Sequence, residues 1–128
     1  MVSRITKGIK IVVKTNSLGA KMHFNEVVNF FNYEITIENC SSDTVKLLRR
    51  FWLIKETLNE DVVVEGEGVV GVQPVLHPNE SFTYTSGSFI KGDVGSMQGY
   101  FTMQNVETSH LFHVRIPLFC LNVLNISN

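Results

Sequence analysis

One short stretch of the chain has the spacing of a ligand motif. Glu65-Gly66-Glu67-Gly68-Val69-Val70-Gly71 contains G-x-G-x-x-G, which makes Gly66, Gly68 and Gly71 the candidate ligand-binding residues. In a dinucleotide-binding fold those glycines close a strand and open a helix, and the helix N-terminus holds a pyrophosphate. The neighbouring residues argue against that setting. Pro74 removes a backbone donor three residues after the last glycine. Val69, Val70, Val72 and Val75 favour a strand. Glu65 and Glu67 repel an incoming phosphate. The segment is expected to run as β-strand and bulge, with a glycine at positive φ or against a neighbouring strand.

Other chemistry-bearing residues lack partners at a useful spacing. His110 and His113 are three apart on an expected strand, so they face opposite sides, while His23 and His77 are isolated. Cys40 and Cys120 form no C-x-x-C pair, which argues against zinc and for two reduced, half-buried thiols. Ser86 lies in Thr85-Ser86-Gly87, not in the G-x-S-x-G elbow of a hydrolase. Glu65 and Glu67 share one side of an extended chain, yet acid–base work also needs a cleft and shifted pKa values. Arg49 and Arg50 interrupt an apolar strand. One is expected to face solvent and the other to pair with a carboxylate on a neighbouring strand, with an interaction hot spot as the alternative. No catalytic residue, metal or cofactor is expected.

The elements that must position these residues are strands. Phe31, Tyr33, Ile35 and Ile37 alternate with Asn32, Glu34, Thr36 and Glu38, the period of a half-buried antiparallel strand. Ile9 to Lys14 alternates in the same way, and a loop is expected from Asn16 through Glu26. Val45 to Ile54 is less regular, as in a central strand or one with a bulge. Leu76-His77-Pro78-Asn79-Glu80 has the chemistry of a tight turn. Phe82 to Gly87, Ser96 to Val106, and a last strand through Phe112, Val114 and Ile116 complete the set, with Pro117 stopping or edging it. Apolar spacing of three and four is nowhere sustained, so no helix is expected. Strands and turns in this rhythm predict an all-β, antiparallel β-sandwich of about seven strands, with a closed barrel as the alternative. The expected core is Phe31, Tyr33, Ile35, Ile37, Trp52, Phe82, Tyr84, Phe101, Phe112, Val114 and Ile116.

Composition limits the role. The chain has 128 residues, 44% hydrophobic and 18% charged, which suits one domain over residues 1–128. A formal net charge of −1 leaves no basic surplus for a nucleic-acid backbone. No apolar run long enough for a membrane helix or a signal h-region is present, so a cytoplasmic protein without membrane contact is expected.

Several blocks together resemble the ApaG family. They are Phe31-x-Tyr33-x-Ile35-Thr36-Ile37-Glu38-Asn39, Leu47-Leu48-Arg49-Arg50-Phe51-Trp52, Gly66-Glu67-Gly68-Val69-Val70-Gly71-x-Gln73-Pro74-x-Leu76-x-Pro78, and Phe82-x-Tyr84-Thr85-Ser86-Gly87. Gly95-Ser96-Met97-x-Gly99 and Val114-x-Ile116-Pro117-x-Phe119 extend the likeness, which runs from Ile9 to Leu121. The resemblance implies an immunoglobulin- or fibronectin III-like sandwich and a small bacterial protein. It also implies a gene often beside ApaH, a diadenosine-tetraphosphate hydrolase, and an association with cobalt tolerance and magnesium efflux. In eukaryotes the domain is fused to F-box and polymerase-interacting proteins, which implies a protein-binding module. The chain departs from the family's pattern twice: Glu65 stands where members often have Arg, and Asn79 where they usually have Gly.

The expected function is therefore a non-enzymatic module for an unidentified protein partner, with a sandwich edge compatible with a homodimer. Phosphate or nucleotide binding through Gly66, Gly68 and Gly71 is the alternative, followed by a role in divalent-cation homeostasis.

Overall fold

The alternating segments become nine strands, and no α-helix forms among the described residues. The structure, a computed structural model, describes residues 1–123; residues 124–128 of the expected domain lie outside the described residues. In chain order the strands are β1 (Val2–Thr6), β2 (Ile9–His23), β3 (Glu26–Asn39), β4 (Val45–Glu56), β5 (Val62–Glu67), β6 (Val75–Leu76), β7 (Ser81–Ile90), β8 (Val94–Asn105) and β9 (Leu111–Asn122). One antiparallel sheet has the order β1-β2-β3-β7. The other has the order β5-β4-β8-β9, with β6 also on β4. Together they make the expected antiparallel sandwich. The count exceeds seven because β1 and the two-residue β6 are added.

Period-two alternation puts one face of each sheet into a shared core. Ile9, Ile11 and Val13 of β2 meet Phe31, Tyr33, Ile35 and Ile37 of β3 there. The facing sheet supplies Leu47, Trp52, Met97, Phe101, Met103, Val114, Ile116 and Phe119. Tyr33, Trp52 and Phe119 pack ring against ring, with centroids 5.4 to 5.8 Å apart. Phe82 and Phe112 differ from expectation, being only partly buried at the margin of this core.

Three expectations need correction. The stretch from Asn16 to Glu26 is not a loop. β2 runs on to His23, bulges at Leu18, and returns directly into β3 through the two-residue turn Phe24-Asn25. Pro117 does not end β9, which continues to Asn122. The proline sits at the register shift between Met97 and Gly99 of the paired β8, where a bulge tolerates a missing donor. Cys40 and Cys120 are free but exposed rather than half-buried: Cys40 lies just past the end of β3, and Cys120 alternates with buried Phe119 and Leu121 on β9.

Turn chemistry closes the hairpins. Lys7-Gly8, Phe24-Asn25 and Val70-Gly71 each have positive φ at both central residues, the type I′ geometry that suits strand twist. The His77–Glu80 turn forms as expected, with Glu80 N–H donating to the His77 carbonyl at 3.0 Å and Asn79 at φ 70°. Asn39, wholly buried, ties two connections together. Its Nδ2 donates to the Asp43 and Leu76 carbonyls, and its Oδ1 accepts from the Ser41 amide and hydroxyl.

The two sides of the sandwich differ. On one, β1 packs along β9, and the Arg115 N–H donates to Thr6 Oγ1 at 3.3 Å. On the other, the edge strands β5 and β7 leave a cleft between them.

Candidate functional site

This cleft has a volume of about 450 Å³. Arg50 and Trp52 of β4, and Val62 and Val64 of β5, line one wall. Tyr33 of β3, with Tyr84, Ser86 and Phe89 of β7, lines the other, and Val69 and Val70 form a lip. Strand alternation explains the selection: Arg50, Trp52 and Ile54 share one face of β4, as do Tyr84, Ser86 and Ser88 on β7.

The glycine stretch builds one end of the cleft by holding Arg50. β4 carries an extra residue at Leu48, which breaks its register with β8. The displaced Leu48 carbonyl accepts from Gly68 N–H at 2.8 Å and from Gln73 Nε2 at 3.0 Å. Arg50 Nη1 donates to the carbonyls of Glu67 at 2.9 Å and Gly68 at 3.1 Å. Gly66 leaves room for this side chain, since a Cβ there would lie 3.0 Å from Arg50 Nη2. Gly68, at φ +63°, could take a Cβ only against the Val72 backbone. Val69 and Val72 then exchange both backbone hydrogen bonds across Val70-Gly71. Val70, at φ 42°, is a β-branched residue in the left-handed region, where such residues are rare and strained.

The opposite wall presents hydroxyls. Burial raises the Tyr33 phenol pKa; a hydrogen bond with Ser86 and the Arg50 charge partly offset that rise. Tyr84 is raised much further, chiefly by burial and then by Tyr33, with Arg50 opposing. The Tyr84 hydroxyl is out of reach of solvent and has no hydrogen-bond partner. At the mouth, the Glu56 carboxylate accepts from the backbone amides of Lys91 and Gly92 at 2.9 Å.

A family model described as the ApaG domain matches residues 20–105. Protein ApaG of Photobacterium profundum is 40% identical over 118 residues, covering 92% of each chain. Protein ApaG of Edwardsiella ictaluri is 36% identical over 121 residues, covering 93% of this chain and 96% of its own. The chain belongs to the ApaG family. Solved structures agree with the fold. An X-ray structure of a structural-genomics target superposes with a TM-score of 0.83 at 32% identity, covering 90% of this chain and 86% of its own. A Bordetella pertussis crystal structure described as an ApaA protein gives 0.78 at 29%, covering 89% and 92%.

The blocks around Tyr33, Arg50, Val69, Tyr84 and Met97 that carried the ApaG resemblance meet at the cleft, while the Val114–Phe119 block lies away from its lining. Of the three glycines, Gly66 lies in β5, paired with Arg50; Gly68 follows that strand and Gly71 closes the turn. A strand and a tight turn surround them, and no helix N-terminus follows. Asn79 takes a positive φ, the left-handed conformation that asparagine tolerates. Arg49 faces solvent as expected, but Arg50 corrects the ion-pair expectation. It meets the carbonyl of Glu67, not its carboxylate, and the ion pairs among the described residues are Lys55–Asp61 and Lys91–Glu26. His110 and His113 are both exposed, His110 stacked on Phe112 and His113 tilted against Tyr100, and His77 is an exposed turn residue. Among the described residues no three His, Cys, Asp or Glu side chains gather as metal ligands, and no helix is long and apolar enough to cross a membrane.

Proposed function

We propose that this ApaG-family protein is a non-enzymatic binding module that contacts another protein, and that it works in the cytoplasm. The observation that carries this reading is the tip of the β2–β3 hairpin. Phe24 is 87% exposed there, flanked by exposed Met22 and Val27. His23 packs between Phe24 at 4.5 Å, Phe89 at 4.5 Å and Phe30 at 5.9 Å, so the rings form one held cluster. Phe24 also adopts φ 48°, a position where a type I′ turn prefers Asn or Gly. A large ring kept strained and in water gives a contact surface little reason to be polar, and buried aromatic anchors dominate binding energy at protein interfaces.

Affinity capture from the native cell tests this reading, with the wild-type protein and the Phe24→Ser variant as paired baits. Both should melt at similar temperatures, and a partner held by the wild type should be lost from the variant. Identical captured sets would remove the aromatic tip as the contact surface.

A further inference from the structure

We propose that the cleft between β5 and β7 binds a small organic monocarboxylate with an apolar body. This site shares Phe89 with the hairpin-tip cluster, but Phe24, His23 and Phe30 of that cluster do not line it. Its head is rich in donors. Tyr84 is only 8% exposed, and its hydroxyl has neither solvent nor a protein acceptor. Native proteins rarely leave a buried donor unpaired, because the lost hydration is not recovered. Tyr84 lines the cleft, so an acceptor there that displaces the cover of its hydroxyl would satisfy it. Arg50 lines the same cavity, and its guanidinium is held by the Glu67 and Gly68 carbonyls. No ion pair among the described residues neutralises it. A fixed guanidinium beside an unmatched hydroxyl is a receptor for a carboxylate.

The remaining walls select the body of the ligand. Ile54, Val62, Val64, Val69, Phe89 and Met97 supply apolar surface, beside the polar Glu56, Asn59, Glu60, Ser86 and Ser88. The cavity, at about 450 Å³, lies at the small end of ligand sites, which span roughly 300–1,000 Å³. Charge sets the upper limit on the head. The cavity holds one guanidinium, while Glu56 and Glu60 stand along its lining. A single negative charge is balanced by Arg50, whereas a pyrophosphate or nucleotide would meet those carboxylates with charge to spare.

Trp52 is the only tryptophan and lines the cavity, so its fluorescence reports occupancy directly. The probes are octanoate and 3-phenylpropionate, the neutral 3-phenylpropanol, and pyrophosphate. Both acids should change the emission saturably, with the alcohol at least about tenfold weaker, a difference of about 1.4 kcal/mol. Pyrophosphate should give no saturable change. Arg50→Gln should abolish the preference for acid over alcohol. Because that change also loosens the glycine turn, Tyr84→Phe provides the second test: acid affinity should fall about tenfold while the melting temperature holds or rises. Phe24→Ser should leave acid binding intact, so failure of the hairpin-tip reading and failure of this one are distinguishable. The proposal is overturned if neither acid titrates, if acid and alcohol bind equally, if Tyr84→Phe binds as the wild type does, or if pyrophosphate binds more tightly than the acids.

Discussion

The two sides of this sandwich are closed by different means. On the β1–β9 side an added strand covers the core, and a backbone amide finds a hydroxyl at Thr6. On the β5–β7 side the sheets part around a cavity, and a buried polar group, the Tyr84 hydroxyl, is left without a partner. The first side follows the rule that buried polar groups are matched, since among the described residues no buried side-chain nitrogen or oxygen there lacks a partner. The second breaks it, and also holds Val70 in a strained backbone conformation. Strain alone does not separate the two sides, since Lys7 in the β1–β2 turn also takes a positive φ; the cavity and the unmatched hydroxyl do.

The largest effects belong to the shared core. Ile35 is fully buried and sits opposite Val13 and Tyr84 in the sheet. Ile35→Ala should cost roughly 2–5 kcal/mol, read from urea denaturation. A loss under about 0.5 kcal/mol, typical of surface positions, would mean the central face of β3 carries no more weight than the cleft.

Next comes Gly68, whose backbone joins the bulge to the Arg50 seat. Gly68→Ala combines a left-handed residue with a Cβ pressed against Val72. The left-handed conformation alone costs about 1–2 kcal/mol for a residue with a Cβ, and the clash adds to it. Gly71→Ala is the matched control, because φ is again positive but the space beside it is open. Gly68→Ala should therefore be the more damaging of the two. Equal losses would show that conformation, and not the close approach to Val72, sets the geometry here.

Tyr84→Phe should run the other way. Removing an unpartnered hydroxyl should raise stability by about 1 kcal/mol, since an unmatched buried group costs about 1–3 kcal/mol. A loss on this change would mean the hydroxyl is matched in solution, and the contrast between the two sides would fail. The same variant has a signature in alkali. Tyr33 and Tyr84 both have raised pKa values in the fold, against about 10 for an unfolded tyrosine. Below about pH 10 both states keep these protons, and neither tyrosine makes stability depend on pH. Above it the unfolded chain sheds protons that the folded chain retains, so stability falls as pH rises. Tyr84→Phe removes one such group and should make that fall shallower. Parallel slopes for variant and wild type would count against burial as the cause.

How much of this was legible in the sequence depends on the range of each interaction. The faces of β3 could be read because one side must be buried and the other wet, and a period of two reports that directly. Tyr84 was assigned to the core by the same rule. Its lack of a partner was not readable, because that depends on how far β5 stands from β7. Arg50 was placed on a strand, but its target was misread. A bulge at Leu48 and a pairing seventeen residues downstream bring it to the Glu67 carbonyl. The hairpin at Phe24-Asn25 was read as loop because neither Asn-Gly nor Asp-Gly marks it. The turn forms there because long, well-paired strands on both sides impose it.

Val70 gives the smallest expected effect and the finest test of the contrast. It occupies the first central position of a type I′ turn at φ 42° and is 57% exposed at the lip of the cleft. Asparagine tolerates this conformation and is favoured at this place in such turns. Val70→Asn should therefore stabilise the protein by up to about 1 kcal/mol through relief of backbone strain. It also replaces part of the apolar lip with an amide, so octanoate should bind more weakly to the variant even as its melting temperature rises. Gains in stability and losses in affinity from one exposed residue would tie the strain to the cleft. If stability rises and octanoate affinity is unchanged, the strained valine serves the turn alone, and the lip of the cleft ends at Val69.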